Sequence, residues 1–291
     1  MKQRRKQPNK ESKCYSMNKP QPSKDQSWPF NQTAFGYDSE FTNSVLGRIY
    51  RNRVWSRMDA VFTGKRHLLE LGCGTGEDAL YLASRGHQIT ALDASKDMIA
   101  QTQLKIQQAS LTEQVNAQVL AIENLDLLQT QLKKDQNGVL PFDGVLANFG
   151  VLNCVSDLHV VASTLHTSLS PGAPALFTIM GPLVPWEWIW YLLKGDPQKA
   201  FRRLKKDGVS WRGITIWYPS IRKAQAAFSP YFTTTRISAL GTLLPPSYAE
   251  SWAKSHSALI DRFKQIEERW VSSPLMTHFA DHYLLEMKHI G

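Results

Sequence analysis

Cysteine is scarce in this 291-residue chain: Cys14, Cys73 and Cys154 are odd in number, far apart and without a C-x-x-C pair. This argues against a disulfide framework or a cysteine-based zinc site and fits a reducing, cytoplasmic setting. Long apolar runs are also missing. The nearest, Leu183 to Leu193, is well short of the roughly eighteen residues that span a bilayer, so no stable membrane insertion is expected.

Charge of one sign is in short supply once the N-terminus is set aside. The formal net charge is +9, but residues 1–30 hold eight Lys/Arg against Glu11 and Asp25, which leaves about +3 for the other 261 residues. So small an excess does not mark the body as a nucleic-acid binder. Residues 1–27 are rich in Lys, Gln, Asn, Ser and Pro and nearly free of large apolar side chains. They are expected to form a disordered basic tail, with contact to anionic lipid or RNA as the other reading. The tail lacks the apolar stretch of a secretory signal and the periodic Leu or Phe of a helical presequence.

With 42% hydrophobic residues the chain can bury one substantial core, expected as one α/β domain over 28–291. Apolar residues from Asp38 to Phe62 follow a helical repeat, with Asp38 or Ser39 as N-cap. Strand and helix then alternate: strands His67–Leu71, Gln88–Leu92, Asn116–Ala121, Phe142–Ala147 and Ala175–Met180, and helices Glu77–Ser84, Lys96–Gln108 and Asp157–Leu169. Such alternation requires crossovers and predicts a mostly parallel sheet covered on both faces. Gly86, Gly138 and Pro171-Gly172 punctuate the element ends. After Met180 the pattern predicts strands at 209–218, Thr233–Ala239 and Asp281–Met287 and helices at Ser220–Phe228 and Ser247–Trp270. Residues 182–207 and 245–272 interrupt the rhythm and are expected to form a cap over the sheet. No internal repeat is found.

The most informative segment is Glu70-Leu71-Gly72-Cys73-Gly74-Thr75-Gly76-Glu77, at a strand end and a helix start. A dinucleotide fingerprint would need glycine at position 77, where Glu77 instead would repel a pyrophosphate. A triphosphate loop would need a lysine that is absent. The spacing Glu70-x-Gly72-x-Gly74-x-Gly76 resembles the first motif of class I S-adenosylmethionine (SAM) methyltransferases. The resemblance implies a Rossmann-like, doubly wound, seven-stranded α/β fold and SAM as cofactor. Glycines 72, 74 and 76, with Cys73, would meet its amino-acid end, and Glu70 its ammonium side. A sulfonium cation suits an acidic rim.

Asp93, 17 residues beyond Gly76, ends the second strand. Two carboxylate oxygens match two adjacent ribose hydroxyls. Ala94 follows it, and Met98 matches the family position that packs on adenine, with an ordinary core methionine as the competing reading. At the third strand end the family's usual acid and small residue are replaced by Ala121 and Ile122, so adenine recognition is expected from backbone near Ile122 and from Glu123. Phe142 to Asn153 resembles the fourth motif, which puts Asn148 and Phe149 beside the methionine part of SAM; an ordinary turn, in which Asn and Gly are common, is the alternative. The segment is not the N-P-P-Y type of amide or exocyclic-nitrogen methylases. Phe35-Gly36-Tyr37-Asp38 is similar to quinone-biosynthesis members, grouped with methyltransferase types 11 and 25, and implies that Tyr37 closes over SAM.

Pro182 to Leu193 follows the fifth strand and is expected either to pack as a cap helix or to line an aromatic acceptor pocket. The basic run Arg202 to Lys206 is read as a solvated face, or as a clamp for an acidic substrate group if two of its residues turn inward. Methyl transfer needs a base only when the acceptor must lose a proton, and His159, Glu187 and Tyr191 are the catalytic candidates. His278 and His282 lie four apart in a region read as strand, with Phe279 where a metalloprotease motif needs Glu, so no metal is expected. The leading expectation is in-line methyl transfer to a small apolar or aromatic metabolite. The competing ones are RNA or protein methylation, and a non-catalytic SAM-binding partner subunit.

Overall fold

The computed structural model describes residues 29–64, 66–128, 130, 142–246 and 249–291. The basic tail, Gly138 and residues 247–248 of the expected last long helix lie outside the described residues.

Seven strands form one sheet in the order β3-β2-β1-β4-β5-β9-β8: β1 (His67–Leu71), β2 (Gln88–Asp93), β3 (Val115–Val119), β4 (Gly144–Ala147), β5 (Pro174–Met180), β8 (Phe232–Leu240) and β9 (His282–His289). β3, β2, β1, β4 and β5 pair in parallel; β9 is antiparallel to both β5 and β8. Successive residues of β1 face opposite sides of the sheet: Leu69 and Leu71 belong to one buried cluster and Leu68 to the other. Each fully buried Leu or Val contributes roughly 1.5–3 kcal/mol. The first core is closed by α5 (Leu158–His166) and α8 (Ile221–Phe228), the second by α2 (Val45–Val61), α3 (Glu77–Ser84) and α4 (Lys96–Gln108). From β1 the chain winds outward to β2 and β3, then returns to place β4 on β1's other side. That reversal opens a crevice at the carboxyl ends of β1 and β4, where ligands of open α/β sheets bind.

Four expectations are corrected. Residues 38–62 are not one helix: α1 (Ala34–Tyr37) runs into a wide turn at Asp38–Thr42, and α2 starts only after Ser44, whose side chain accepts from Gly47 N–H. Asp38 is not a cap, because its carboxylate is drawn into the tertiary contacts described below. The expected strand 209–218 is a separate hairpin of β6 (Val209–Trp211) and β7 (Ile214–Ile216), turned at Arg212 and Gly213, both with positive φ. The expected helix to Trp270 is broken at His256 into α9 (Glu250–Ser255) and α10 (Ser257–Trp270). His278 ends a short helix, α11 (Pro274–His278), and so does not share a strand with His282.

The two interrupting segments pack on each other. Trp186 of α6 (Pro185–Leu193) donates to the Leu243 carbonyl at 2.7 Å and meets the rings of Trp252 and Phe263. Glu250 of α9 accepts from the Val45 and Leu46 N–H groups and thereby caps α2 from a distance.

Candidate functional site

A cavity at the crevice is lined by Phe30, Tyr37, Gly72, Gly74, Asp93, Ala94, Met98, Leu120, Ile122, Glu123, Asn148, Phe149, Gly150, Val151 and Cys154. Ten of the thirteen binding residues expected from sequence are among them. Glu70, Cys73 and Gly76 are not in the lining.

The three glycines of the loop have different tasks, although all have positive φ. A Cβ on Gly72 would stand 2.3 Å from Val151 Cγ2, and one on Gly76 2.5 Å from Thr102 Cγ2, so these two make room for protein. A Cβ on Gly74 would meet nothing within 4 Å, so this glycine keeps open the space it lines. Gly74 N–H donates to Asp93 Oδ2 at 2.9 Å and Ser95 N–H to Oδ1 at 2.8 Å. Burial raises the Asp93 pKa and these two N–H donors oppose the rise. Each oxygen retains capacity for a further donor. Met98 is buried, as a core methionine would be, and also lines the cavity.

Glu70 is buried beneath the loop with Oε2 unpartnered. Burial, then the nearby Asp78 charge, holds its carboxyl well above the usual range, against the pull of Arg51. Asp78 is itself enclosed: Arg51 reaches Oδ1 at 2.7 Å, as does the Trp55 indole N–H, and the Asn148 amide donates to Oδ2 at 3.0 Å. Asn148 also accepts from Thr178 Oγ1 at 2.8 Å. The strand-end turn expected at Asn148 to Gly150 is present, with Phe149 at φ 53 and Gly150 at φ 90, and the same residues wall the cavity. A bulky residue in the left-handed region is uncommon, and such strain concentrates at functional sites.

The leading segment is fastened over the loop by Asp38. Thr75 Oγ1 donates to its Oδ1 at 2.7 Å, and Lys105 Nζ lies 2.5 Å from its Oδ2 and 2.6 Å from Glu77. This brings Tyr37 and Phe30 to the cavity wall. Burial raises the Tyr37 phenol pKa.

None of the three catalytic candidates lines the cavity. His159 is exposed on α5, where Asp157 caps the helix and the imidazole lies over Tyr231. Glu187 is fully buried and ion-paired with Arg202 at 2.6 Å and Arg203 at 2.5 Å. Tyr191 lies beneath the Lys199 and Arg202 cations. The basic run is thus not simply a solvated face: Arg202 and Arg203 turn inward, onto the protein's own carboxylates. Arg203 also holds Asp281 at 2.7 Å.

Sequence reasoning missed Phe30, Leu120, Gly150, Val151 and Cys154 in the lining. Leu120 and Gly150 adjoin motifs that it did identify, whereas Phe30 had no signal. His282, noted from sequence only as half of a discounted metal pair, stands next to that lining. That imidazole faces Phe149, with ring centroids 6.2 Å apart, and its Nδ1 lies 3.1 Å from Asp281 Oδ2.

Residues 69–175 match the family model described as a methyltransferase domain. The chain is 30% identical over 176 residues to a demethylmenaquinone methyltransferase of Leptospira interrogans, covering 58% of this chain and 67% of that protein. Among solved structures it resembles geranyl diphosphate C-methyltransferase of Streptomyces coelicolor A3(2), with TM-score 0.54, 13% identity and coverage of 84% of this chain and 78% of that one. It also resembles the cyclopropane synthase MmaA2 of Mycobacterium tuberculosis, with TM-score 0.53, 15% identity and coverage of 83% and 84%. The chain belongs to the class I S-adenosylmethionine-dependent methyltransferases.

Proposed function

We propose that this methyltransferase takes its methyl group from S-adenosylmethionine and delivers it to a small apolar or aromatic acceptor. The observation that carries the reading is the pairing of a bare backbone at Gly74 with the buried carboxylate of Asp93, whose oxygens keep acceptor capacity, at the crevice between β1 and β4. The residues present fit that cofactor. Asp93 would hold the ribose hydroxyls, the backbone of Gly72 and Gly74 the amino-acid end, and Met98, Leu120 and Ile122 an apolar slot for adenine. Glu70, with an unpartnered buried oxygen, is suited to a cationic ligand.

When bound, S-adenosylmethionine would supply a methyl carried on a sulfonium, which the acceptor would take as the carbon–sulfur bond broke and its electron pair returned to sulfur. The chain's own task is to orient and to exclude water, which favours a step in which charge is lost. Tyr37 and Phe30 cover the cavity on one side. Asn148 and Phe149 wall it on another, with Asn148 braced by Asp78 and Thr178.

The nearly neutral body and the similarity to a demethylmenaquinone methyltransferase support a small-molecule acceptor over RNA or protein. The test is transfer of labelled methyl from SAM to a panel of quinols, phenols and prenyl compounds, with RNA and protein as parallel arms. Turnover on a metabolite, and at least about tenfold weaker SAM binding in Asp93→Ala, are expected. Turnover on RNA or protein alone would overturn the acceptor reading, and unchanged affinity in the variant would remove Asp93's role.

A further inference from the structure

The helix α6 is inside out. Of its nine residues, Pro-Trp-Glu-Trp-Ile-Trp-Tyr-Leu-Leu, the only one fully buried is the carboxylate Glu187, held by Arg202 and Arg203. On the opposite face Ile189, Leu192 and Leu193, at helical spacing, are exposed to 55%, 48% and 84%. Trp188 extends this stripe to Phe201, with ring centroids 5.9 Å apart, and Phe201 and Leu204 are exposed in turn. A contiguous apolar patch on a soluble surface marks an interaction site.

Its surroundings select the partner. Lys194, Lys199, Lys205 and Lys206 are all exposed along the same stretch, while the acids there are Asp207 and Asp196, the latter 3.1 Å from Lys199. Lys194 lies over the Trp190 ring. Aliphatic side chains on an outward stripe, flanked by tryptophans and an excess of lysines, are the composition of a helix that lies in a membrane interface. Four exposed lysines against two aspartates favour anionic headgroups, which need no fixed geometry, over a protein partner.

We propose that the outer face of α6, continued by Phe201 and Leu204, docks this enzyme on an anionic lipid surface. The segment follows β5 at the same edge of the sheet as the cavity, so docking would bring the site to a source of apolar acceptor. The docking itself does not depend on which acceptor is methylated.

The test is co-sedimentation of the full chain with phosphatidylcholine vesicles, with and without phosphatidylglycerol. Expected are capture by the anionic vesicles, weakening with salt, and a loss of about tenfold or more in Ile189→Glu and Leu193→Glu, with thermal unfolding and SAM binding unchanged. Lys205→Glu with Lys206→Glu should weaken capture without touching the apolar stripe. The proposal is overturned if the wild-type chain is not captured. It is equally overturned if capture survives both stripe variants and disappears on deleting residues 1–27, which would make the basic tail the binder. A wild-type dimer that becomes monomeric in Leu193→Glu would assign the face to a second copy instead.

Discussion

Replacing Gly74 by alanine should separate ligand binding from folding, because of the three loop glycines it alone faces empty space. Its φ of +55 costs an alanine about 1–2 kcal/mol. Apart from the adjoining residues, nothing lies within 4 Å of the new Cβ, so no packing penalty is added. For a chain of this size the unfolding midpoint should fall by roughly 2–6 °C. Gly72→Ala and Gly76→Ala carry the same backbone cost plus overpacking of about 1–3 kcal/mol, against Val151 at 2.3 Å and Thr102 at 2.5 Å. They should therefore fall further. Binding should rank differently: the Gly74 methyl occupies the space that its backbone leaves to SAM, and affinity should drop at least about tenfold, or ~1.4 kcal/mol. Differential scanning calorimetry and isothermal titration with SAM and S-adenosylhomocysteine measure the two quantities on the same samples. Wild-type affinity in Gly74→Ala, or a stability loss equal to that of Gly72→Ala, would refute the assignment.

Glu70 is held above the usual carboxylate range by burial, so it destabilises the unliganded fold increasingly as pH rises from its unfolded value through its folded one. Glu70→Gln should raise the unfolding midpoint at pH 8 and weaken SAM. Wild-type binding should release a proton, seen by titration in two buffers of different ionisation enthalpy; equal observed heats in both, before any correction for buffer ionisation, would exclude the coupling. Asp281 behaves oppositely. Burial opposes its ionisation, but Arg203 and then His282 hold it well below the usual range. The stabilisation is therefore present above the unfolded pKa of about 3.9 and is lost as pH falls toward the folded value. Arg203→Met leaves Glu187 and Asp281 buried without their shared cation and should cost about 3–5 kcal/mol at neutral pH, with the acid-unfolding midpoint moved upward. An unchanged acid limb in urea titrations at graded pH would rule this out.

Much of the binding site was legible because its chemistry is local. The strand, the glycine turn and the helix start occupy ten consecutive residues, and Asp93 ends the next strand, so spacing along the chain tracks position at one sheet edge. The catalytic candidates failed for the converse reason. Glu187 looked like a free acid on an aromatic helix, and nothing near it in sequence shows that Asp281, 94 residues on, lies in the same ion-pair network. His282 drew notice only as half of a discounted metal pair, and its nearness to Phe149 arises from β9 inserting between β5 and β8.

The amino-acid pattern by itself determined the α/β class, the parallel half of the sheet and the glycine turn, since side-chain period and backbone sterics act over a few residues at a time. Only the tertiary structure decided which glycine faces open cavity, which arginines are consumed internally, and that α6 turns its carboxylate in and its leucines out. Those outcomes depend on which remote surfaces meet: the buried charge at Glu187 follows the two guanidinium groups that fold back from Arg202 and Arg203, and the apolar side is left outward as a consequence.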